Sequence, residues 1–249
     1  MATRVLITIP ISHYCEKARW ALDRAGLAYD ERRHLQVVHW VAVRRAGGGR
    51  TAPVLVCEEG VLKESAEILA YADRRAPPER RLYPDDAAAA EAIRVLERGF
   101  DERLGPEGRA WMYHQLRGRS DIALAYATAG VPAWQRRAFP LAYPFVARVI
   151  DRHLGITPDS AARSEREVRA AFDEVGRWLS DGRPYLTGER FTAADLTFAA
   201  LAAPMLMPPE YGVTLPQPEE LPAPMAATIR ELRDHPAGRH ALRMFREER

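Results

Sequence analysis

The sequence predicts an α/β domain in the order βαβαββα followed by an all-helical domain. Three observations carry this. The chain opens with a β-branched run, Val5 to Ile9, which a helical repeat and a second extended stretch follow. Residues 50–65, RTAPVLVCEEGVLKES, read as a strand, a tight turn, a returning strand and a helix start. Beyond a proline-rich hinge the apolar residues recur mostly at helical spacing.

An unbroken run such as Val5 to Ile9 suits a strand buried on both faces of a sheet. Pro10-Ile11 breaks it, and from Ser12 a helix follows in which Tyr14, Ala18, Ala21, Leu22 and Ala25 recur at helical spacing. Gly26 ends that helix, because glycine turns left-handed without a Cβ penalty. Tyr29 to Leu35 is the second strand, parallel to the first across a right-handed crossover. A helical turn and a Gly-rich loop lie between His39 and Gly49.

Pro53 has no N–H to give a ladder, so it belongs at the head of the next strand, Val54-Leu55-Val56, and backbone groups near Ala52 stay free. Glu58-Glu59-Gly60 supplies the turn and Val61-Leu62-Lys63 the return. Ser65 then stands where an N-cap belongs, before the helix Ala66 to Tyr71, whose first N–H groups point back towards Ala52. A free backbone edge facing a helix N-terminus suits a peptide-like ligand that carries a carboxylate.

Residues 1–76 form the first domain on this reading, 77–86 a linker stiffened by Pro77 and Pro78, and 87–249 the helical domain. Asp85 or Asp86 caps a helix with Ala89, Ile93, Leu96 and Phe100 on one face. Residues 106–160 are helical with boundaries blurred by Pro132, Pro140 and Pro144. Ser164-Glu165-Arg166-Glu167 has the form of a capping box before the amphipathic run Val168 to Leu179. Thr192 and Asp195 form another, with Phe191 and Leu196 as a hydrophobic staple, at a cap worth about 1 kcal/mol. It starts a very apolar helix that must lie at the centre of its domain. Pro208 to Pro224 is an ordered surface loop, and Met205, Met207, Tyr211 and Met225 in and around it either border an apolar pocket or belong to a segment that merely covers the core. A last helix runs from about Ala237 into Arg249.

Strand, proline, hairpin, Glu-Ser and helix in this order resemble the glutathione-binding, thioredoxin-like domain of glutathione S-transferases. Arg50-Thr51-Ala52-Pro53 is also similar to the threonine-x-proline segment of glutaredoxins. Tyr185 to Leu196 resembles the helix-nucleating element of the transferases' helical domain. The loop Ile11-Ser12-His13-Tyr14-Cys15 lies where such proteins carry their active-site residue.

The resemblance implies glutathione as co-substrate, its cysteinyl part on the Ala52 backbone beside a cis Pro53. Its γ-glutamyl carboxylate would meet Ser65 and its ammonium group Glu64. The glycyl carboxylate needs a cation, for which Arg50, Arg44 and His39 stand unranked. Ser12 would donate a hydrogen bond to the sulfur and favour the thiolate, aided by the helix dipole. The thiolate would then attack a small, apolar electrophile held by the helical domain. The alternative for Ser12 is a plain N-cap, a role compatible with the catalytic one. Cys15 is either a redox thiol lowered in pKa by the helix end, which would make the protein a thiol-disulfide oxidoreductase, or a buried core residue. His13 reads by default as an exposed loop residue, and Cys57 as core. A third reading is a catalytically silent binding protein. The resemblance further implies a homodimer with a detoxifying role.

With 36 basic and 34 acidic residues in 249 the net charge is +2, so no nucleic-acid partner is implied. The two cysteines exclude a disulfide scaffold and fit a reducing compartment. No apolar run approaches a signal core or a membrane span, so a soluble cytoplasmic protein without membrane contact is expected. No histidine pair at i, i+4 and no C-x-x-C suggests a metal.

Overall fold

The computed structural model describes residues 4–249, so the first three residues of the expected 1–76 domain lie outside the described residues. Four strands form one mixed sheet in the order β2-β1-β3-β4: β1 Val5–Thr8, β2 Asp30–Arg33, β3 Val54–Cys57 and β4 Gly60–Leu62. β2 runs parallel to β1, joined by α1 (His13–Arg24), whereas β3 is antiparallel to β1 and to β4. α2 (His39–Arg45) and α3 (Ser65–Arg75) complete the predicted βαβαββα order. Gly26, at φ 67°, turns the chain out of α1 as expected.

The start of α3 differs from the expectation. Glu64, not Ser65, is the N-cap, and Ser65 is the first helical residue. The Glu67 carboxylate, one turn inside, accepts the N–H of Lys63 at 2.7 Å and of Glu64 at 3.3 Å, which fixes the cap one residue earlier.

The linker is not a detached tether. It makes a 3₁₀ turn at Pro78–Arg80 and then buries Leu82 and Tyr83 in the core. α4 (Ala87–Gly99), capped by Asp86, continues through a π-helical turn at Phe100–Leu104 into α5 (Gly105–Gln115). α6 (Ser120–Tyr126) and α7 (Ala133–Leu154) follow. α7 carries Pro140 and Pro144 without breaking. Both prolines are exposed, as is Arg136, so the carbonyls they leave without partners face water, while Gln135, Phe139 and Val146 bury the opposite face.

α8 runs over Pro158–Trp178, longer than the sequence suggested. Its capping box is Thr157 with Ser160, and Ser164 lies inside the helix, donating its hydroxyl to Glu107 at 2.5 Å. α9 (Ala193–Leu206) is buried along its whole length, as its composition demanded. Between Met207 and Pro222 the chain is an ordered cover. The sequence reading did not anticipate α10 (Ala223–Asp234), and α11 (Pro236–Glu248) ends the fold. One continuous apolar core runs from Leu6, Leu22 and Leu69 through Trp111 to Phe172 and Phe198.

Candidate active site

The site lies where β1 ends and β3 begins. Pairing between these strands stops at Ile7 opposite Val54; continuing that register sets Ile9 beside Ala52. The β3–β4 register, Leu55 opposite Leu62, likewise sets Glu64 beside Pro53. The active-site loop, the Ala52-Pro53 step and the start of α3 therefore share one edge of the sheet. The Ala52-Pro53 peptide bond is cis.

Ser12 is the N-cap of α1, its Oγ accepting the Cys15 N–H at a long 3.4 Å. Its own O–H meets no acceptor among the described residues. Ser12, Thr51 and Ala52 line one cavity of about 100 Å³ together with Arg50, His39 and Arg109. Pro53, Glu64, Ser65 and Cys15 do not line it. α3, which Glu64 caps, nonetheless packs directly against α1.

Cys15 departs from the lowered thiol that its helix position suggested. It is fully buried, its Sγ accepts the Ile9 N–H at 3.4 Å, and burial pushes the thiol up despite the nearby Arg19 charge. The helix end cannot offset a desolvation this complete. His13 departs as well, being buried rather than exposed: its Nε2–H donates to the Gly105 carbonyl at 3.1 Å. Burial, and then the Arg109 charge, hold its pKa down to about 3, so the ring is neutral near pH 7. His39 is neutral too, at about 4, mainly through burial, with Nε2 donating to the Arg50 carbonyl at 3.1 Å. It therefore supplies no cation. Arg44 does not line the cavity and Arg50 does.

The opposite wall comes from the helical domain, through residues that no local pattern marked. Arg109, Met112 and Tyr113 project from α5 at i, i+3 and i+4. α5 is held against α1 through the π turn. Tyr14 donates to the Asp101 carbonyl at 2.7 Å, and Lys17 lies 2.8 Å from Glu97 and 2.7 Å from Asp101. A side chain at Gly105 would run into the Tyr14 ring, so the close approach needs glycine there.

Beyond Ile11, Gln36, Met112 and Tyr113, which line both, the cleft adjoins a second cavity of about 260 Å³. Its walls are apolar: Leu116, Phe139, Val146, Ala203, Met207 and Tyr211 among them. Of the four residues expected there, Met207 and Tyr211 border the pocket, whereas Met205 and Met225 are fully buried in the core and do not line it. Tyr113 donates to Gln36 at 2.8 Å across the boundary, and burial pushes its phenol up to about 12.

Comparison with known proteins bears on this geometry. Residues 6–80 match the family described as "Glutathione S-transferase, N-terminal domain". By this match residues 6–80 belong with the N-terminal domains of glutathione S-transferases. No curated protein sequence matches it significantly. Among solved structures it superposes on a glutathione S-transferase of Ceriporiopsis subvermispora in complex with glutathione, at TM-score 0.62 and 17% identity over 99% of this chain and 97% of that one. A glutathione S-transferase of Xanthobacter autotrophicus gives 0.61 and 17%, over 98% and 93%. One from Methylobacterium radiotolerans, complexed with glutathione sulfonate, gives 0.54 and 20%, over 96% and 94%. At these identities the likeness is one of fold.

Proposed function

We propose that the protein is a serine-type glutathione transferase, activating the thiol of glutathione for attack on a small electrophile. The observation that carries this is the junction at Ser12: a hydroxyl at a helix N-terminus, in the same cleft as Ala52, which adjoins an apolar cavity.

Glutathione would lie along Ala52, its cysteinyl backbone pairing where the sheet ladder stops. Its γ-glutamyl end would reach Ser65 and Glu64 at the start of α3, and its glycyl carboxylate would take Arg50, the exposed guanidinium of the same wall. The Ser12 O–H and the positive end of α1 then favour the thiolate over the thiol, each pKa unit amounting to about 1.4 kcal/mol. The thiolate attacks the electrophilic carbon, whose leaving group departs with the bonding electron pair, and the thiol proton goes to solvent. The burial of Cys15 supports the serine over a cysteine-based thiol-disulfide exchange.

Kinetics with 1-chloro-2,4-dinitrobenzene test the reading. Ser12→Ala should lower kcat/KM at neutral pH by about tenfold or more, one pKa unit or more of lost thiolate preference. The pKa of enzyme-bound glutathione, followed by ultraviolet difference spectroscopy, should rise in step. Unchanged transfer in Ser12→Ala, or no transfer by the wild type, would sink it.

A further inference from the structure

The cavity that holds Ser12 has an unbalanced charge. Arg50 and Arg109 both line it, and among the described residues no aspartate or glutamate does. Arg109 is half-buried, its Nε fully enclosed and without a hydrogen-bond partner among the described residues. Leaving a guanidinium N–H enclosed and unpaired is costly, and structural arginines are ordinarily matched by a carboxylate or carbonyl. The next arginine along the same helical wall shows the ordinary case: Arg117, beside the apolar cavity, meets Asp151 at 2.9 Å and donates to the Ile156 carbonyl at 3.2 Å. His13, Tyr14 and Tyr113 line the same cavity as Arg109 and Ser12, and the positive charge of Arg109 bears on all three.

The anions of glutathione already have partners in the reading above, on which this inference rests. The glycyl carboxylate has Arg50, the γ-glutamyl carboxylate Ser65 and the sulfur Ser12. Arg109 is left over, on the helical wall. Met112, Tyr113 and Leu116 continue that wall on the same face of α5, directly into the apolar cavity. A ligand lying along this face meets apolar surface for most of its length and one planar, bidentate cation at the end where the sulfur sits.

We propose that the second substrate is an anionic electrophile: a compact apolar or aromatic body bearing a carboxylate, or a sulfonate in its place, which Arg109 binds while the body fills the cavity of about 260 Å³. Arg109 then selects among electrophiles and brings the reacting carbon to the thiolate.

A matched pair of chloronitroarenes separates this from other roles. With 4-chloro-3-nitrobenzoate and with 1-chloro-2,4-dinitrobenzene the reaction is the same. The thiolate forms the C–S bond, chloride leaves with the C–Cl pair, and the thiol proton passes to water. Only the first carries a carboxylate. In Arg109→Gln the ratio of kcat/KM for the benzoate to that for the neutral arene should fall about tenfold or more, the scale of one charge-assisted hydrogen bond. Arg109→Lys should recover part of that ratio, and circular dichroism should show both variants folded. A ratio unchanged in Arg109→Gln overturns the proposal, whether the two rates fall together, as they would if Arg109 served the sulfur, or neither moves. Calorimetric titration of 4-chloro-3-nitrobenzoate without glutathione is independent of transfer. Binding about tenfold tighter to wild type than to Arg109→Gln sustains the anion site even if no conjugate forms, and equal binding refutes it.

Discussion

Ser12 and Cys15 occupy the same helix end, and burial alone divides their chemistry. The serine hydroxyl opens on the cleft, whereas the thiol is closed in behind Ile9 with its pKa raised. A reagent for free thiols should therefore meet the half-buried Cys57 first and reach Cys15 only on unfolding: about one fast-reacting thiol per native chain against two in denaturant. Arg50 makes a second residue-scale case. Its exposed guanidinium can still save about 1.5–3 kcal/mol by pairing with a carboxylate, so Arg50→Ala should raise the KM for glutathione about tenfold or more with little change in kcat. His13 and His39 tie the site to pH. Both have native pKa values well below the free value of 6.5, at about 3 and about 4. Below pH 6.5 the unfolded chain takes up protons that the native ring refuses. The stability they confer is complete above that pH and is lost as pH falls towards 3 and 4, at up to about 1.4 kcal/mol per histidine per pH unit. Urea midpoints should drop between about pH 7 and about pH 5, and His13→Asn, which keeps a donor for Gly105, should shrink the drop.

Among the elements, the start of α9 is held by more than a surface cap. Asp195 is fully buried and accepts four hydrogen bonds: from Leu186 N–H at 2.7 Å, Thr192 N–H at 3.0 Å, the Thr192 hydroxyl at 2.9 Å and the His240 ring at 3.1 Å. Asp195→Ala strands all of these donors, so the cost should be about 3–5 kcal/mol rather than the 1 or so of a surface cap, a fall in Tm of about 10 °C by scanning calorimetry. The π turn gives a further test. Gly105→Ala would press a methyl group into the Tyr14 ring, which cannot swing away while its hydroxyl holds Asp101, and overpacking of this kind costs about 1–3 kcal/mol. What the sequence disclosed follows the range of the forces involved. Proline chemistry, turn residues and capping pairs act within a few residues, so the segment 50–65 and the Thr192–Asp195 box were readable. The same locality misled at Ser164, where the Ser-Glu-Arg-Glu pattern is satisfied inside a helix because Pro158 had already begun it. Arg109 left no local trace, since only tertiary folding brings α5 over Ser12. Its lack of a partner is a property of three-dimensional neighbours.

At the scale of the molecule, the cleft exists only because two structural layers are fastened together. α1 packs on both α3 and α9, with Trp20 stacked on Phe191 and tilted against Phe245, its indole N–H donating to the Glu248 carbonyl at 2.9 Å. Lys17 is fully buried between Glu97 and Asp101, and Tyr83 donates to Glu97 from the linker. A buried cation that holds two carboxylates adds little against an apolar replacement of the whole group, yet removing it alone leaves two acids desolvated. Lys17→Met should accordingly cost about 3–5 kcal/mol, and the triple change Lys17→Met, Glu97→Gln, Asp101→Asn should recover much of it. Because this cluster and the continuous apolar core span both layers, neither can open without exposing the other. Helix content followed in the far ultraviolet and tryptophan packing followed in the near ultraviolet should thus be lost in one coincident transition. Residues 4–80 expressed alone should show no cooperative melt. Two separated transitions in the intact chain would mean that the layers are stable apart, and that the wall bearing Arg109 can leave Ser12 without the fold being lost.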